Sequence, residues 1–108
     1  MHQTADAAFR ALADPTRRSI VALLAQQDLT IGAVAENFDM TRPAVRKHLA
    51  ILEEGNLIRV EPRGRERVTR LHQPGLAAVT SWLADIDAFW TARLGRLKAE
   101  IEKGNGNA

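Results

Sequence analysis

The residues best equipped for chemistry lie in one stretch, 41–70. There Arg42, Arg46, Lys47, Arg59, Arg63, Arg65, Arg67 and Arg70 stand against Glu53, Glu54, Glu61 and Glu66. The rest of the chain holds seven basic residues against nine acidic ones, so the formal charge of +2 conceals a local basic excess. A basic block in a near-neutral chain is the footprint of a face that meets a polyanion. Arginine adds more than charge, because its planar fork can bond guanine O6 and N7 together and so read a base. Lysine and threonine suit phosphate oxygens, which position a duplex without specifying its sequence.

Other chemistries find little to work with. His2, His48 and His72 are far apart in sequence, and there is no Gly-rich phosphate loop or nucleophile motif. An enzyme is not expected. With no cysteine in the 108 residues, thiolate metal sites, disulfides and thiol switches are excluded. Asp85 and Asp87 stand two positions apart on an expected helix, which turns them away from each other, so no metal site and no cofactor is expected. Single-stranded RNA readers place stacking aromatics among their basic groups, yet His48 is the sole ring in 41–70. Duplex DNA is the expected partner.

Short elements must position these groups. An apolar stripe at Ala5, Ala8, Phe9 and Leu12 marks a helix over about 4–13. Asp14 and Pro15 form the N-cap and first turn of the next, with Ile20, Leu23 and Leu24 inward. Thr30 caps a third helix to about Asn37, with Ile31, Val34, Ala35 and Phe38 inward. Asp39-Met40 connects it to a fourth, capped by Thr41, with Pro43 tolerated in its first turn. On that helix Val45, Leu49, Ile51 and Leu52 share one side, and Arg42, Pro43, Arg46, Lys47 and Ala50 the other. Gly55-Asn56 is expected to end it as a left-handed stop.

Two strands are expected over about 57–61 and 65–71, turning at Pro62-Arg63-Gly64. Arg63, Gly64, Arg65 and Arg67 would then form a basic hairpin tip, with the three arginines on one side of a regular strand. A basic helix followed by a basic hairpin fits a recognition helix with a wing that touches phosphate or minor groove. The order is α-α-α-α-β-β-α, a mainly α fold with a small β-hairpin.

The last helix is expected over about 74–102. Leu76, Val79, Leu83, Ile86, Trp90, Leu94, Leu97 and Ile101 follow one another in steps of three and four, and Trp82 and Phe89 widen the stripe. So broad an apolar face exceeds what one small domain covers. Phe9, Leu76, Val79, Leu83, Ile86, Phe89, Trp90, Leu94 and Leu97 are therefore expected to form a homodimer interface. Residues 1–103 read as one domain and 104–108 as a flexible tail. No apolar run reaches transmembrane length, so no membrane partner and a cytoplasmic location are expected.

Taken together, FRALADPTRRSIVALL, LTIGAVAENFDMTRPAVRKHLAILEEGNLI, RGRERVTRLHQPGL and the WL…FW pair resemble the ArsR family of winged helix-turn-helix repressors, in the branch without the Cys metal motif. The resemblance covers residues 8–97 or so. It implies a homodimer on an inverted-repeat operator, often in its own promoter, and repression by blocking polymerase. It places Thr41, Arg42, Pro43 and Arg46 where the recognition helix meets DNA, and Arg63, Gly64 and Arg65 at the wing. It leaves the effector open. This chain departs from the common pattern at Arg46, Ala33 and Thr69, where the family often has Ser, Glu and an aromatic residue.

Overall fold

The computed structural model describes residues 3–106. His2 and the last two residues of the expected tail lie outside that range. The order is α1 (Gln3–Leu12), α2 (Pro15–Leu24), β1 (Leu29–Thr30), α3 (Ile31–Phe38), α4 (Arg42–Glu54), β2 (Ile58–Arg63), β3 (Glu66–Leu71) and α5 (Gln73–Gly106).

Local chemistry starts the helices as the sequence requires. The backbone N–H of Arg17 donates to Asp14 Oδ2 at 3.0 Å, with Pro15 in the first turn of α2. Thr30 Oγ1 accepts from Ala33 N at 3.1 Å and Thr41 Oγ1 from Ala44 N at 3.3 Å. Each cap satisfies a donor that has no partner inside its helix. Asp39, at φ 51, ends α3 in the left-handed conformation and turns the chain sharply into α4.

The core lies where α1 to α4 meet the sheet. Ile20, Val34, Val45, Leu52, Leu57 and Ile58 are fully buried, and Phe38 and Leu12 pack against them from the rim. Ile51, expected on the inner side of α4, is exposed instead. It lies at the edge of the inward arc, lining an open groove with Ala7 and Arg10 of α1.

The sheet has three strands rather than two, in the order β1-β3-β2. Leu29 pairs with Thr69 and Thr30 with Val68. Thr69 is completely buried, and its hydroxyl donates to Leu29 O at 2.7 Å, which fastens β1 to the hairpin. The hairpin turn is also shifted. Pro62 lies within β2 opposite Arg67, and the two-residue turn is Gly64-Arg65. β2 is an edge strand, where proline's missing N–H leaves no ladder bond unmade. Gly64 has φ +65, as the first residue of a type II′ turn requires.

Two further glycines act by closeness. Gly55 has φ −74, so Asn56, at φ 63, is the left-handed residue after α4. A Cβ on Gly55 would meet Ala7 O at 3.1 Å, so its bareness lets α1 pack against the end of α4. At Gly75 a Cβ would fall on Asn56 O, 1.5 Å away. The start of α5 crosses the chain there with no room for a side chain.

The first turns of α5 belong to the domain. Val79 is buried in the core, and Leu76 and Phe9 pack against it. Val79 is thus not available to a partner, contrary to expectation, because α5 must anchor on α1 before it can leave the domain. Trp82 meets Phe9 edge to face at 5.2 Å. From Thr80 to Gly104 every residue is exposed. The 34-residue helix is about 51 Å long. Its projection gives a radius of gyration of 20.0 Å, against about 13 Å for a compact chain of this size. The helix also runs through Gly104 to Gly106, where a flexible tail was expected.

Candidate nucleic-acid interface

α3 and α4 form a helix-turn-helix, with the outer face of α4 turned toward the hairpin. Thr41, Arg42, Pro43, Arg46 and Lys47 are all exposed, while Val45, Leu49 and Leu52 hold the opposite face in the core. The hairpin brings Arg65 and Arg67 to the same groove as Arg42 and Arg46. This part of the groove, about 270 Å³, is floored by Thr30, Ile31 and Gly32. It continues past Arg46 and Arg67 toward Ala50, Glu53 and Val60. Arg63 and Lys47 lie outside the groove, on the wing and on α4. The three wing arginines do not form one row, since Arg63 is on β2, Arg65 in the turn and Arg67 on β3.

Among the described residues, none of Arg42, Arg46, Lys47, Arg63, Arg65 and Arg67 is paired with a carboxylate. The other basic residues of the segment are engaged. Arg70 pairs with Asp28 at 3.3 Å and Glu61 at 3.5 Å, and Arg59 donates to Asn56 Oδ1 at 2.7 Å. Glu53 accepts from Val60 N at 3.1 Å and so braces β2 against α4. The result is a groove in which four arginines outnumber the two carboxylates that line it, Glu53 and Glu66, on a braced frame. Such an arrangement suits a polyanion whose charges fall on both sides of an inserted helix.

His48 faces inward from α4. Its Nδ1 is 3.5 Å from Arg17 Nη1 and 4.0 Å from Asp14 Oδ2. The backbone N–H of Arg17, then the charges of Arg17 and His48, hold the Asp14 carboxyl below the usual aspartate value. This cluster ties α4 to the α1–α2 corner. Gly32 is a residue that composition did not flag. A Cβ there would be 2.8 Å from Arg42 Nη2, the far end of a flexible exposed side chain that lies over the start of α3 and would have to shift. A glycine inside a helix, where alanine is favoured by about 1 kcal/mol, is the signal that could have found it.

The comparisons agree with this geometry. A family model described as a helix-turn-helix domain matches residues 12–61. The HTH-type transcriptional regulator Rv2034 of Mycobacterium tuberculosis is 42% identical over 93 residues, covering 86% of this chain and 84% of that protein. The transcriptional repressor SdpR of Bacillus subtilis is 35% identical over 75 residues, covering 69% of this chain and 83% of that protein. The solved structure of an ArsR-like transcriptional regulator from Rhodococcus sp. RHA1 superposes with a TM-score of 0.81 at 29% identity, covering 94% of each chain. The chain belongs to the ArsR family.

As an ArsR-family winged helix-turn-helix protein it is a DNA-binding transcriptional regulator and not an enzyme. α4 is the second helix of the helix-turn-helix, and β2–β3 is the hairpin that follows it. Among the described residues, no three His, Cys, Asp or Glu side chains gather in a way that could hold a metal ion, and no helix is long and apolar enough to cross a membrane.

Proposed function

We propose that this ArsR-family regulator is a cytoplasmic homodimeric repressor that binds an inverted-repeat operator, its own promoter among the targets. The observation that carries the reading is the convergence of Arg42, Arg46, Arg65 and Arg67 on one groove, with no ion-pair partner among the described residues. In this reading the N-terminal half of α4 enters the major groove. Arg42 and Arg46 read base edges there, and Thr41, Pro43 and Lys47 sit against the backbone. Thr41 keeps its hydroxyl hydrogen for a phosphate, because its oxygen is already the acceptor in the helix cap. Arg63, Gly64, Arg65 and Arg67 carry the wing along the neighbouring backbone.

The exposed apolar stripe of α5 supports the dimer, since Leu83, Phe89, Trp90 and Leu94 are each at least half exposed in the single chain. Repression follows if the bound dimer covers the promoter, and SdpR, a relative, bears the name of repressor. Without cysteine, As(III) and Cd(II) have no thiolate ligands here, so release follows another signal.

Footprinting on the DNA upstream of the chain's own coding sequence tests the reading. Two protected half-sites about one helical turn apart are expected, and repression of a reporter by the same DNA. Wild-type binding by a chain carrying both Arg42→Ala and Arg46→Ala would sink it.

A further inference from the structure

Glu53 follows Arg46 by two turns of α4, with Ala50 between them, so all three lie along one face of the helix. That face looks across a groove of about 490 Å³ at Val60 of β2 and Arg67 of β3. Among the described residues, one side-chain hydrogen bond joins α4 to the hairpin across this gap. The Val60 N–H donates to Glu53 Oε2 at 3.1 Å.

The ladder decides which donor is available. Arg63 and Glu66 close the two-residue turn, so hydrogen-bonded pairs recur at Glu61–Val68 and Arg59–Arg70. Val60, opposite Thr69, falls between them, and its N–H points away from β3. Pro62 is the next residue of that kind, and it has no N–H. From Val60 to the turn, the outer edge of β2 therefore offers a single donor, and the carboxylate of α4 takes it. We infer that Glu53 is a positioning residue for DNA binding: by holding the Val60 N–H it fixes the wing at a set angle to α4, so that Arg65 and Arg67 meet the backbone while Arg42 and Arg46 sit in the major groove. The inference rests on the DNA reading above and adds a residue that acts through the wing.

Charge alone gives Glu53 no reason to be there. A carboxylate beside Arg46 and Arg67 opposes a polyanion, and it comes within ion-pair distance of neither. Its neighbour Glu54 lies on another side of the helix, with Ala7 and Arg10 of α1. What Glu53 does make is the bond to β2. The hairpin is otherwise held at its root, where Leu57 and Ile58 are buried, and along its far edge, where Thr69 bonds Leu29. Those contacts keep the fold, and the strut limits the tilt of the wing over the open groove. A wing already set at its binding angle loses less freedom when it docks.

Two variants separate the bond from the charge. Glu53→Gln keeps an oxygen acceptor and loses the charge, and Glu53→Ala loses both. The position is exposed, and urea midpoints check that the fold is kept. Amide exchange of Val60, measured without DNA, should be at least about tenfold slower in the wild type and in Glu53→Gln than in Glu53→Ala. In operator titrations Glu53→Ala should bind roughly three- to tenfold more weakly than Glu53→Gln. Adding Arg65→Gln and Arg67→Gln should cost less affinity in the Glu53→Ala chain than in the Glu53→Gln chain, because the wing contributes less once it is loose. A residue that only stabilised the fold would lower the urea midpoint without that coupling. Equal Val60 exchange in all three chains, equal operator affinity of the two variants, or strictly additive losses would each overturn the proposal. Operator binding indifferent to Arg42→Ala and Arg46→Ala would overturn it through the DNA reading instead, and slow Val60 exchange would then show that the strut itself stands.

Discussion

Two clusters of arginine face different duties in this small domain. At the α1–α2 corner the guanidinium groups are bonded to the chain itself. Arg17 donates to Ala11 O at 2.6 Å and Arg10 O at 3.2 Å, and Arg18 donates to Leu12 O at 2.8 Å and Ala13 O at 3.1 Å. Ala11 O and Leu12 O are carbonyls that the end of α1 leaves without intrahelical partners, and Arg10 O and Ala13 O lie beside them. In the α4–wing groove, Arg42, Arg46, Arg65 and Arg67 have no carboxylate partner among the described residues. The same side chain closes a helix in one place and waits for a ligand in the other. What separates them is the supply of acceptors. A helix C-terminus offers carbonyls within reach, whereas Glu53 and Glu66 line the groove without coming within ion-pair distance of its arginines.

The contrast can be broken by substitution. The largest effect on folding is expected at the corner. Arg17→Ala strips two helix-end carbonyls and leaves Asp14 and His48 without the cation between them. A loss of about 2–3 kcal/mol follows from charged hydrogen bonds of this kind, or a fall in Tm on the order of 10 °C. Urea unfolding and calorimetry read it, and the folded fraction should still bind DNA.

In the groove the signs reverse. Arg42→Ala or Arg46→Ala should leave stability within about 0.5 kcal/mol of wild type. Each should cost about 1–3 kcal/mol of operator binding and relax the base preference at one position of each half-site. Titrations with point-substituted operators check both parts. A groove arginine whose removal destabilised the fold as much as Arg17→Ala would erase the distinction.

Wing changes should be milder and of another kind. Arg65→Gln and Arg67→Gln should weaken binding to all duplexes alike and lower the salt slope by about one unit per lost phosphate contact. Binding isotherms at several salt concentrations test this, and a loss of base discrimination at constant slope would contradict it. Arg70 stands between the two classes, because its partners Asp28 and Glu61 are as exposed as it is. Arg70→Ala should cost under about 1 kcal/mol of stability, and urea midpoints should show it shrinking further in high salt.

The smallest effect concerns acid. Asp14 has a native carboxyl held below its ordinary value. Its contribution is therefore intact above the ordinary aspartate range and lost as pH falls through the lowered native value. Asp14→Asn should make the acid side of the stability curve shallower, as urea midpoints at about pH 5 and about pH 3 would show. An unchanged acid limb would mean that Asp14 is not coupled to folding.

Much of this was legible because it is local. Asp14, Thr30 and Thr41 announce their helices through the residues that follow them, and periodicity gave the inward faces of α2, α3 and, Ile51 apart, α4. The exposed side of α4 followed from the same periodicity. What escaped was set by distant partners. β1 is two residues long, too short for any pattern, and exists because Thr69 receives it 40 positions later. Pro62 resembles a turn residue until β2 is known to be an edge strand. Val79 resembles its neighbours on the stripe until α1 is seen to cover it. Gly55 resembles a left-handed stop, although its duty is to admit α1.

Gly75 and Asn56 make a joint between the two halves of the molecule. Most packed helices meet through side chains, which can change rotamer and absorb small displacements. Here bare backbone rests on backbone, and the His72 N–H donates to Leu57 O at 2.8 Å beside it. Such a joint has little play. Rotation of α5 therefore turns the end of α4 with it, much as a key turns the bolt it is cut to fit. A force applied anywhere along the exposed length of α5 would therefore reach the end of α4 through this crossing, without any contact to the groove itself.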